Sequence, residues 1–243
     1  MPLAIGEATK AFDYVARAIK EYRFTVTFGE SRDTDDAEGV VTATTDTIPT
    51  GEDIAGVLPG FIGTIMQMPP IYSALKINGE RAYKRARAGQ QVEMTARPVE
   101  IHSLRMESCE LPSATFLVSC GKGTYVRSLA RDISMKCSSL GYVSQLRRTR
   151  VGKFRETQAI SLDKLPELVH NAALFEAWVP IELALDDIPA IDADSLQTRK
   201  LRHGQALRLD KPDGKYMVLH RGRIQALAEV RQGSLKPLRI FNL

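Results

Sequence analysis

The stretch that decides the fold runs from Ala114 to Ile133 and reads ATFLVSCGKGTYVRSLARDI. Phe, Val and Cys occupy alternate positions up to Cys120, which predicts a β-strand. The segment Gly121–Thr124 then interrupts the alternation, as a tight turn does. From Val126 onward, apolar residues recur at helical spacing as far as Leu140. That spacing predicts an amphipathic helix directly after the turn.

Tyr125 and Arg127 lie at this predicted junction between a strand and a helix. Side chains on such a junction are held by rigid elements on both sides, which suits a functional site. A short glycine motif alone is more typical of a plain connection, and the GxxxxGK[ST] spacing of a phosphate-binding loop is absent. The junction therefore indicates a site only in combination with other stretches.

The composition is that of an ordinary globular protein, with 44% apolar and 26% charged residues in a chain of 243. No run of about 18 apolar residues predicts a membrane span. The chain does not open on a secretory leader, so we expect a cytoplasmic protein. Its three cysteines match neither a disulfide framework nor a zinc pattern, and its four histidines are scattered, so we expect no metal site.

Two basic runs are the most informative charge feature. Residues 76–88 carry five positive charges against one glutamate, and residues 145–155 carry five and no acid. A single such run is as typical of a solvated face as of a binding site. Two runs with tyrosines nearby favour a surface that follows the phosphates of a nucleic acid.

The acidic segment Ser31–Gly39, SRDTDDAEG, raises the question of a calcium loop. Its glycine and its carboxylates do not have the EF-hand spacing. We therefore interpret it as a solvated turn.

Periodicity and turn residues predict the remaining elements. We expect helices over residues 8–19, 54–61 (after a capping box at Thr50 and Asp53), 81–88, 161–169 and 175–185, and strands over 22–28 and 98–111. An Asp- and Pro-rich linker is predicted at 186–195, and glycine-punctuated short runs predict a small β-rich module from 196 onward.

Three stretches considered together resemble one known family. They are MPPIYSALKINGERAYKRARAG from Met68, SCGKGTYVRSLARDI from Ser119 and SQLRRTRVGKF from Ser144. They are similar to the bacterial tRNA uridine-55 pseudouridine synthases, the TruB family. The opening LAIGEATKAFDY, the SRDTDDAEG segment and the glycine-punctuated C-terminal module, which looks like a small RNA-binding domain of the PUA type, extend the resemblance over essentially the whole chain.

This resemblance implies an α+β fold: a mixed, mainly antiparallel sheet flanked by helices, plus a small C-terminal β-rich module. It implies a synthase domain over residues 1–185 that is incomplete at its N-terminus, a linker over 186–195 and a PUA-like module over 196–243. The implied partner is the T-arm stem-loop of tRNA, bound by a monomer that needs no metal, no organic cofactor and no obligatory protein partner. The implied reaction is the isomerisation of a flipped-out uridine to pseudouridine.

The resemblance also assigns roles to individual residues. Tyr72 would pack on the flipped uracil, and Tyr125 would remove the proton in the last step. Arg127 would pair with the catalytic aspartate, and Leu146 would line the uracil pocket. Lys76 would bind substrate, and seven further basic residues would contact RNA phosphates: Arg81, Lys84, Arg85, Arg147, Arg148, Arg150 and Lys153.

The chain departs from the family at one place. The family's catalytic aspartate lies in a stretch like GGTLDPLASGVLP, directly before the segment that here reads LAIGEATK. The 243 residues do not contain that stretch, so the aspartate would lie upstream of Met1, which takes the place of the last residue before the stretch's final proline. The carboxylates of the SRDTDDAEG segment do not replace it, because that segment has its own match in the family. We therefore assign no nucleophile and expect these residues alone to be inactive.

Two explanations of this departure stay open. Either a longer active synthase is represented here by a shortened chain or a start placed too far downstream, or this is a non-catalytic protein that binds or folds tRNA. Loss of part of a family fold should cost several kcal/mol against a total stability of ~5–15 kcal/mol, which favours the first explanation.

Overall fold

The computed structural model describes residues 2–77, 79–170 and 178–243, which form two compact units. We call residues 18–151 the central unit, and residues 1–17 together with 152–243 the terminal unit. The α+β class with mainly antiparallel pairing and a C-terminal β module is confirmed. Of the described helices, none has both the length and the apolar character that crossing a bilayer demands.

The described elements have the following bounds. The strands are β1 Lys20–Phe28, β2 Glu30–Arg32, β3 Val41–Thr44, β4 Gly63–Gln67, β5 Lys76–Ile77, β6 Glu80–Arg81, β7 Arg97–Glu110, β8 Ser113–Cys120, β9 Gly141–Val151, β10 Phe154–Arg155, β11 Ala190–Asp192, β12 Leu207–Arg208, β13 Gly214–His220, β14 Arg223–Arg231 and β15 Ser234–Ile240. The helices are α1 Phe12–Arg17, α2 Gly51–Val57, α3 Ala82–Arg87, α4 Val126–Lys136, α5 Leu165–His170, α6 Ile181–Ala184 and α7 Ser195–Arg202. Short 3-10 helices cover Gly6–Ala11, Leu58–Phe61, Glu156–Gln158 and Leu162–Lys164.

The central unit is built on an antiparallel sheet in which its strands follow the order β9-β1-β8-β7-β4. The predicted strand over 22–28 is confirmed as β1, which pairs with both β8 and β9. Its Phe24 lies opposite Phe116 of β8 and Leu146 of β9, and the rings of the two phenylalanines stack with centroids 5.2 Å apart. Strand β9 was not predicted, because the basic residues along it hide the alternation that marks a half-buried strand.

Helix α4 covers one face of this sheet and confirms the predicted strand–turn–helix sequence. Its apolar residues Leu129, Ala130 and Ile133 are fully buried in one cluster with the sheet. The helix ends at Lys136 rather than at Leu140. Ser138 takes a φ of 55°, and a residue in that left-handed conformation is a common helix stop.

Two further helices of the first half agree with the sequence patterns in part. Helix α2 begins with the predicted capping box, in which Asp53 N donates to Thr50 Oγ1 at 3.2 Å and Thr50 N donates to Asp53 Oδ2 at 2.9 Å. The helix predicted over 8–19 starts as a 3-10 turn, continues as α1 and ends at Arg17, because β1 already begins at Lys20.

The terminal unit contains a five-stranded sheet in the order β11-β13-β14-β15-β12. Strand β11 pairs in parallel with β13, whereas the other strand pairs described for this sheet are antiparallel. Residues from both ends of the chain share one core here, where Ala11 packs in the same cluster as Leu227 and Phe241. Lys10 Nζ also donates to the carbonyl of Ile240 at 2.9 Å.

The segment 186–195, predicted as a linker, contains strand β11. The Asp and Pro residues of this segment obscure the pattern of a strand. Ile191 nevertheless packs against a buried cluster of the terminal unit. Helix α7 was also not predicted. The helix predicted over 161–169 corresponds to a 3-10 turn and α5. Of the helix predicted over 175–185, residues 175–177 lie outside the described residues, and only Ile181–Ala184 is helical in the rest. The domain boundaries after 185 and 195 stay a prediction.

Candidate active site

The site begins at the junction that the sequence singled out. Strand β8 ends at Cys120, and the turn after it is fixed by a hydrogen bond from Gly121 N to the carbonyl of Glu100 at 2.8 Å. Tyr125 has an extended backbone at the N-cap of α4, and its carbonyl accepts the first helical hydrogen bond, from Leu129 N at 3.0 Å. The ring of Tyr125 therefore projects from a point that both a sheet and a helix hold.

The side-chain amide of Gln67 fixes the backbone of Tyr125. Its Oε1 accepts from Tyr125 N at 2.8 Å, and its Nε2 donates to Tyr125 O at 3.1 Å. A carboxamide can do both at once because it carries an acceptor and two donors. Gln67 ends edge strand β4 and is 1% exposed, so the two hydrogen bonds are shielded from water.

Arg127 joins three segments of the central unit. Its NH2 donates to the carbonyl of Tyr72 at 2.8 Å, and its NH1 donates to the carbonyl of Thr34 at 3.1 Å and to Asp36 Oδ2 at 2.9 Å. Its side chain is 23% exposed. The rigid fork of a guanidinium can satisfy such divergent acceptors, whereas a lysine ammonium is a single point charge.

Two further residues of α4 also bind the segment that carries Tyr72. Ser128 Oγ and Arg131 NH2 both donate to the carbonyl of Met68, at 2.8 and 2.9 Å. Ser128 is fully buried. Residues 67–72 are thus held along the first turns of α4 at Gln67, Met68 and Tyr72.

The acidic segment is not the solvated turn that its composition predicted. Asp36 pairs with Arg127, and Asp35 pairs with Arg131 through Oδ2 and NH1 at 3.2 Å, with the Asp35 side chain only 15% exposed. The segment also bonds to strand β9, since Ala37 N donates to Val143 O at 3.0 Å. Composition failed here because the cations that face these carboxylates lie more than 90 residues away.

Burial affects the ionisation of the two carboxyl groups that pair with Arg131. It raises the pKa of Asp35, against the opposing influence of the Arg131 and Arg127 guanidinium groups. Burial likewise raises the pKa of Asp132, which pairs with Arg131 NH2 at 3.0 Å. No group of His, Cys, Asp and Glu among the residues described could hold a metal ion.

The structure brings together only part of the expected site. Tyr72, Tyr125 and Arg127 lie on segments joined by direct hydrogen bonds. Leu146 is 49% exposed on β9, opposite Phe24 and hence on the sheet face that carries the core. Lys76 is exposed in the two-residue strand β5, and no described contact joins it to the other three.

The expected position of the catalytic aspartate is next to the first residue of the chain. The sequence predicts it upstream of Met1, and Met1 lies outside the residues that the structure describes. Met1 itself is assigned no catalytic role. The placement of the aspartate ahead of it therefore stays a prediction.

The expected phosphate-binding residues differ in how they are engaged. Lys84 and Arg85 lie on the short helix α3, which the sequence predicted, and Arg147 and Arg148 are exposed on β9. Arg81 donates to the carbonyl of Ala74 at 2.9 Å. In contrast, Arg150 pairs with Glu21 at 3.1 Å and Lys153 with Asp186 at 3.0 Å, so RNA would have to compete for these two cations.

Sequence reasoning missed four residues that build this site: Gln67, Asp36, Ser128 and Arg131. Gln67 carries no pattern that separates it from any other strand glutamine. Arg131 did offer a signal. It follows Arg127 by four residues, so a helix starting at Val126 places the two side chains next to each other. Ser128 follows Arg127 by one residue, and helical spacing gives no such signal for it.

Comparison with known proteins decides the family. Residues 1–126 match the sequence model described as "TruB family pseudouridylate synthase (N terminal domain)", and residues 127–186 match "tRNA pseudouridylate synthase B C-terminal domain". The chain belongs to the TruB family. A protein of Bradyrhizobium diazoefficiens named tRNA pseudouridine synthase B is 48% identical to it, over 100% of this chain and 74% of that protein. One of Zymomonas mobilis with the same name is 44% identical, over 100% and 80%.

Solved structures show the same fold at lower identity. A Cbf5-Nop10-Gar1 complex contains a chain with a TM-score of 0.72 and 20% identity, covering 98% of this chain and 71% of that one. A chain of an H/ACA RNP bound to a substrate RNA that contains 2'-deoxyuridine has a TM-score of 0.71 and 18% identity, covering 99% and 71%. At this identity the likeness to these two solved structures concerns the fold alone.

Proposed function

We propose that this TruB-family chain is the part of a tRNA pseudouridine synthase that recognises uridine 55 in the T-arm loop. The observation that carries the proposal is the bridge from Arg127 NH2 to the carbonyl of Tyr72 at 2.8 Å. It ties the segment that bears one tyrosine to the helix start that bears Tyr125. The target base must leave its stack to be reached, and this frame would receive it.

Tyr72 is assigned the stacking role in this proposal. Base–aromatic stacking is worth ~1–3 kcal/mol, which helps to offset the loss of stacking within the loop. Tyr125, held by Gln67 through its backbone, is assigned proton removal after the base has rejoined through carbon. Leu146, half-exposed beside the core, supplies an apolar wall for the pyrimidine.

Arg127 is assigned the partner of the family's catalytic aspartate. In this proposal that aspartate lies upstream of Met1, and within the described residues the guanidinium bonds Asp36 and two carbonyls. We infer that a polypeptide of residues 1–243 alone binds tRNA without turning it over. A segment like GGTLDPLASGVLP joined ahead of Met1 would supply the acid that opens the reaction.

The test uses unmodified transcribed tRNA and mapping of pseudouridine along the product. We expect none from residues 1–243 and pseudouridine at position 55 from the same residues extended by that segment. An extended chain whose segment carries Asn in place of its aspartate is the matched control. Product from residues 1–243 alone would refute the placement of the nucleophile upstream of Met1, and product only at other positions would refute the proposed substrate.

The rival interpretation is a tRNA-binding or tRNA-folding protein without chemistry. It predicts that the extended chain also stays inactive while binding of tRNA persists. The two interpretations share a tRNA affinity that falls with salt, because both rely on phosphate contacts. Turnover by the extended chain therefore decides between them.

A further inference from the structure

A concave pocket of about 550 Å³ lies in the terminal unit, between helix α7 and the turn that joins β13 to β14. Its charged and titratable lining consists of Arg199, Arg202, Arg221, Arg223, His203 and His220. No carboxylate is among the described lining residues. The pocket shares no residue with the Tyr72–Arg127 site.

The four arginines lack counter-ions within the part of the chain that the structure describes. Arg202 NH2 donates to Gln225 Oε1 at 2.8 Å, and none of the four makes an ion pair with a described carboxylate. Like charges gathered on one concave surface repel each other and raise the local concentration of anions. The arrangement therefore favours an anionic ligand.

Two further polar groups of the pocket lining keep hydrogen-bonding capacity that the described residues do not use. Thr198 is 6% exposed, and its Oγ1 has no hydrogen-bond partner among the described residues. Leaving a buried hydroxyl unpaired is unfavourable, and a ligand oxygen that accepts from it would remove this cost. His220 Nδ1 lies 2.8 Å from the carbonyl of Ala193, so this nitrogen is the donor and Nε2 is left for another partner.

The backbone of the β13–β14 turn is unusual where it meets the pocket. Arg221 has a φ of 52° and Gly222 one of 75°, so both central turn residues lie in the left-handed region. Asn, Asp or Gly is the ordinary first residue of such a turn. An arginine adopts this conformation only at a cost in conformational free energy. Its presence here therefore suggests a favourable interaction that offsets this cost. A contact between its guanidinium and a ligand would provide that interaction.

We propose that this pocket binds phosphate groups. Guanidinium forks match the geometry of phosphate oxygens, and four of them exceed what a single carboxylate ligand could use. The phosphates can come from an RNA strand or from a free phosphorylated small molecule, since the chemistry of recognition is the same. The RNA source would add a second point of attachment for tRNA, on the terminal unit.

The test compares residues 1–243 with the double variant Arg199→Gln/Arg223→Gln. Both positions are exposed, so the variant should keep its fold. Calorimetric titration with inorganic pyrophosphate is expected to show a dissociation constant raised about tenfold or more. If RNA is the source, tRNA affinity also falls, and the slope of log affinity against log salt drops by about one for each lost contact.

Arg208→Gln is the matched control, because it removes one charge from an exposed arginine of the same unit outside the pocket. It should leave pyrophosphate affinity unchanged. A change in pyrophosphate binding alone supports a free phosphate ligand, and a change in both supports RNA. The proposal is overturned if neither pyrophosphate nor tRNA binds more weakly to the double variant, or if Arg208→Gln has the same effect. Should the double variant unfold, the single Arg221→Gln variant carries the same comparison.

Discussion

Gln67 and Tyr125 exchange two hydrogen bonds across 58 residues of sequence, with the glutamine amide pairing to the tyrosine backbone as a neighbouring strand would. The glutamine is almost fully buried, and the tyrosine begins helix α4. One side chain at the edge of the sheet thereby sets the backbone position of a proposed catalytic tyrosine.

Replacing Gln67 by Leu tests this relationship. The substitution leaves the N–H of Tyr125 without a partner in a water-poor environment, which costs about 1–3 kcal/mol. It also removes one of the two hydrogen bonds that the carbonyl of Tyr125 accepts, while the bond from Leu129 N remains. We expect the free energy of unfolding in urea to fall by about 2 kcal/mol or more. Gln145→Leu, at an exposed position of β9, is the control and should stay within about 0.5 kcal/mol. Equal stabilities of parent and Gln67→Leu would show that the two hydrogen bonds contribute nothing.

Replacing Arg127 by Lys tests the three-way bridge. A lysine keeps the charge but cannot bond the carbonyls of Tyr72 and Thr34 and the carboxylate of Asp36 together. We expect about 2 kcal/mol of local stability to be lost, since hydrogen bonds to charged groups contribute ~1.5–3 kcal/mol.

The readout of that variant is amide hydrogen exchange. Ala37 N and Tyr83 N report on the two attached segments, because they donate to the carbonyls of Val143 and Ser73. Their protection should drop about tenfold or more, while that of Phe24 in strand β1 stays as it is. A uniform drop at all three amides would indicate global unfolding instead of release of the bridge.

The burial of Asp35 predicts a pH dependence of the stability of the fold, with a definite sign. Because the pKa of Asp35 is raised in the folded state by burial, the folded state binds more protons than the unfolded state above the unfolded pKa of ~3.9. The contribution of Asp35 to stability is therefore lost as pH rises through the folded pKa. Relative to Asp35→Asn, the parent should become less stable from about pH 4 upward and then level off.

Asp53 provides a control with the opposite sign. Hydrogen bonds from the Thr50 hydroxyl and backbone lower its pKa, so its contribution is present above the unfolded pKa and is lost on acidification. Relative to Asp53→Asn, the parent should gain stability as pH rises to about 4 and beyond. Urea titrations of the parent and both variants between about pH 3 and 7 measure the two trends, and trends of the same sign would contradict these assignments.

The local elements could be predicted wherever the sequence carries a clean period. Strand β1, the Thr50–Asp53 cap and helix α4 all follow from alternation, capping residues or an apolar stripe. Strand β9 could not be predicted this way, since arginines occupy the positions where alternation would show. Strand β11 is too short to show a periodic pattern, and its pairing with β13 depends on tertiary structure.

The candidate site was predictable only in part for a related reason. The strand–turn–helix pattern identified Tyr125 and Arg127, and family resemblance added Tyr72 and the roles of all three residues. The groups that hold them came from the structure, because Gln67 and Asp36 act through contacts 58 and 91 residues distant in sequence. No local sequence pattern predicts a contact partner at that separation.

The proposed stacking of an extruded T-arm uridine on Tyr72 can be measured directly. The most direct measurement is a binding cycle between residues 1–243 or Tyr72→Ala and a T-arm stem-loop with either uridine or an abasic site at position 55. We predict that removing the ring or the base each weakens binding by about 5- to 150-fold, and that removing both costs little more than removing one. Independent effects that multiply, or no loss from the abasic site, would show that the base does not stack on Tyr72.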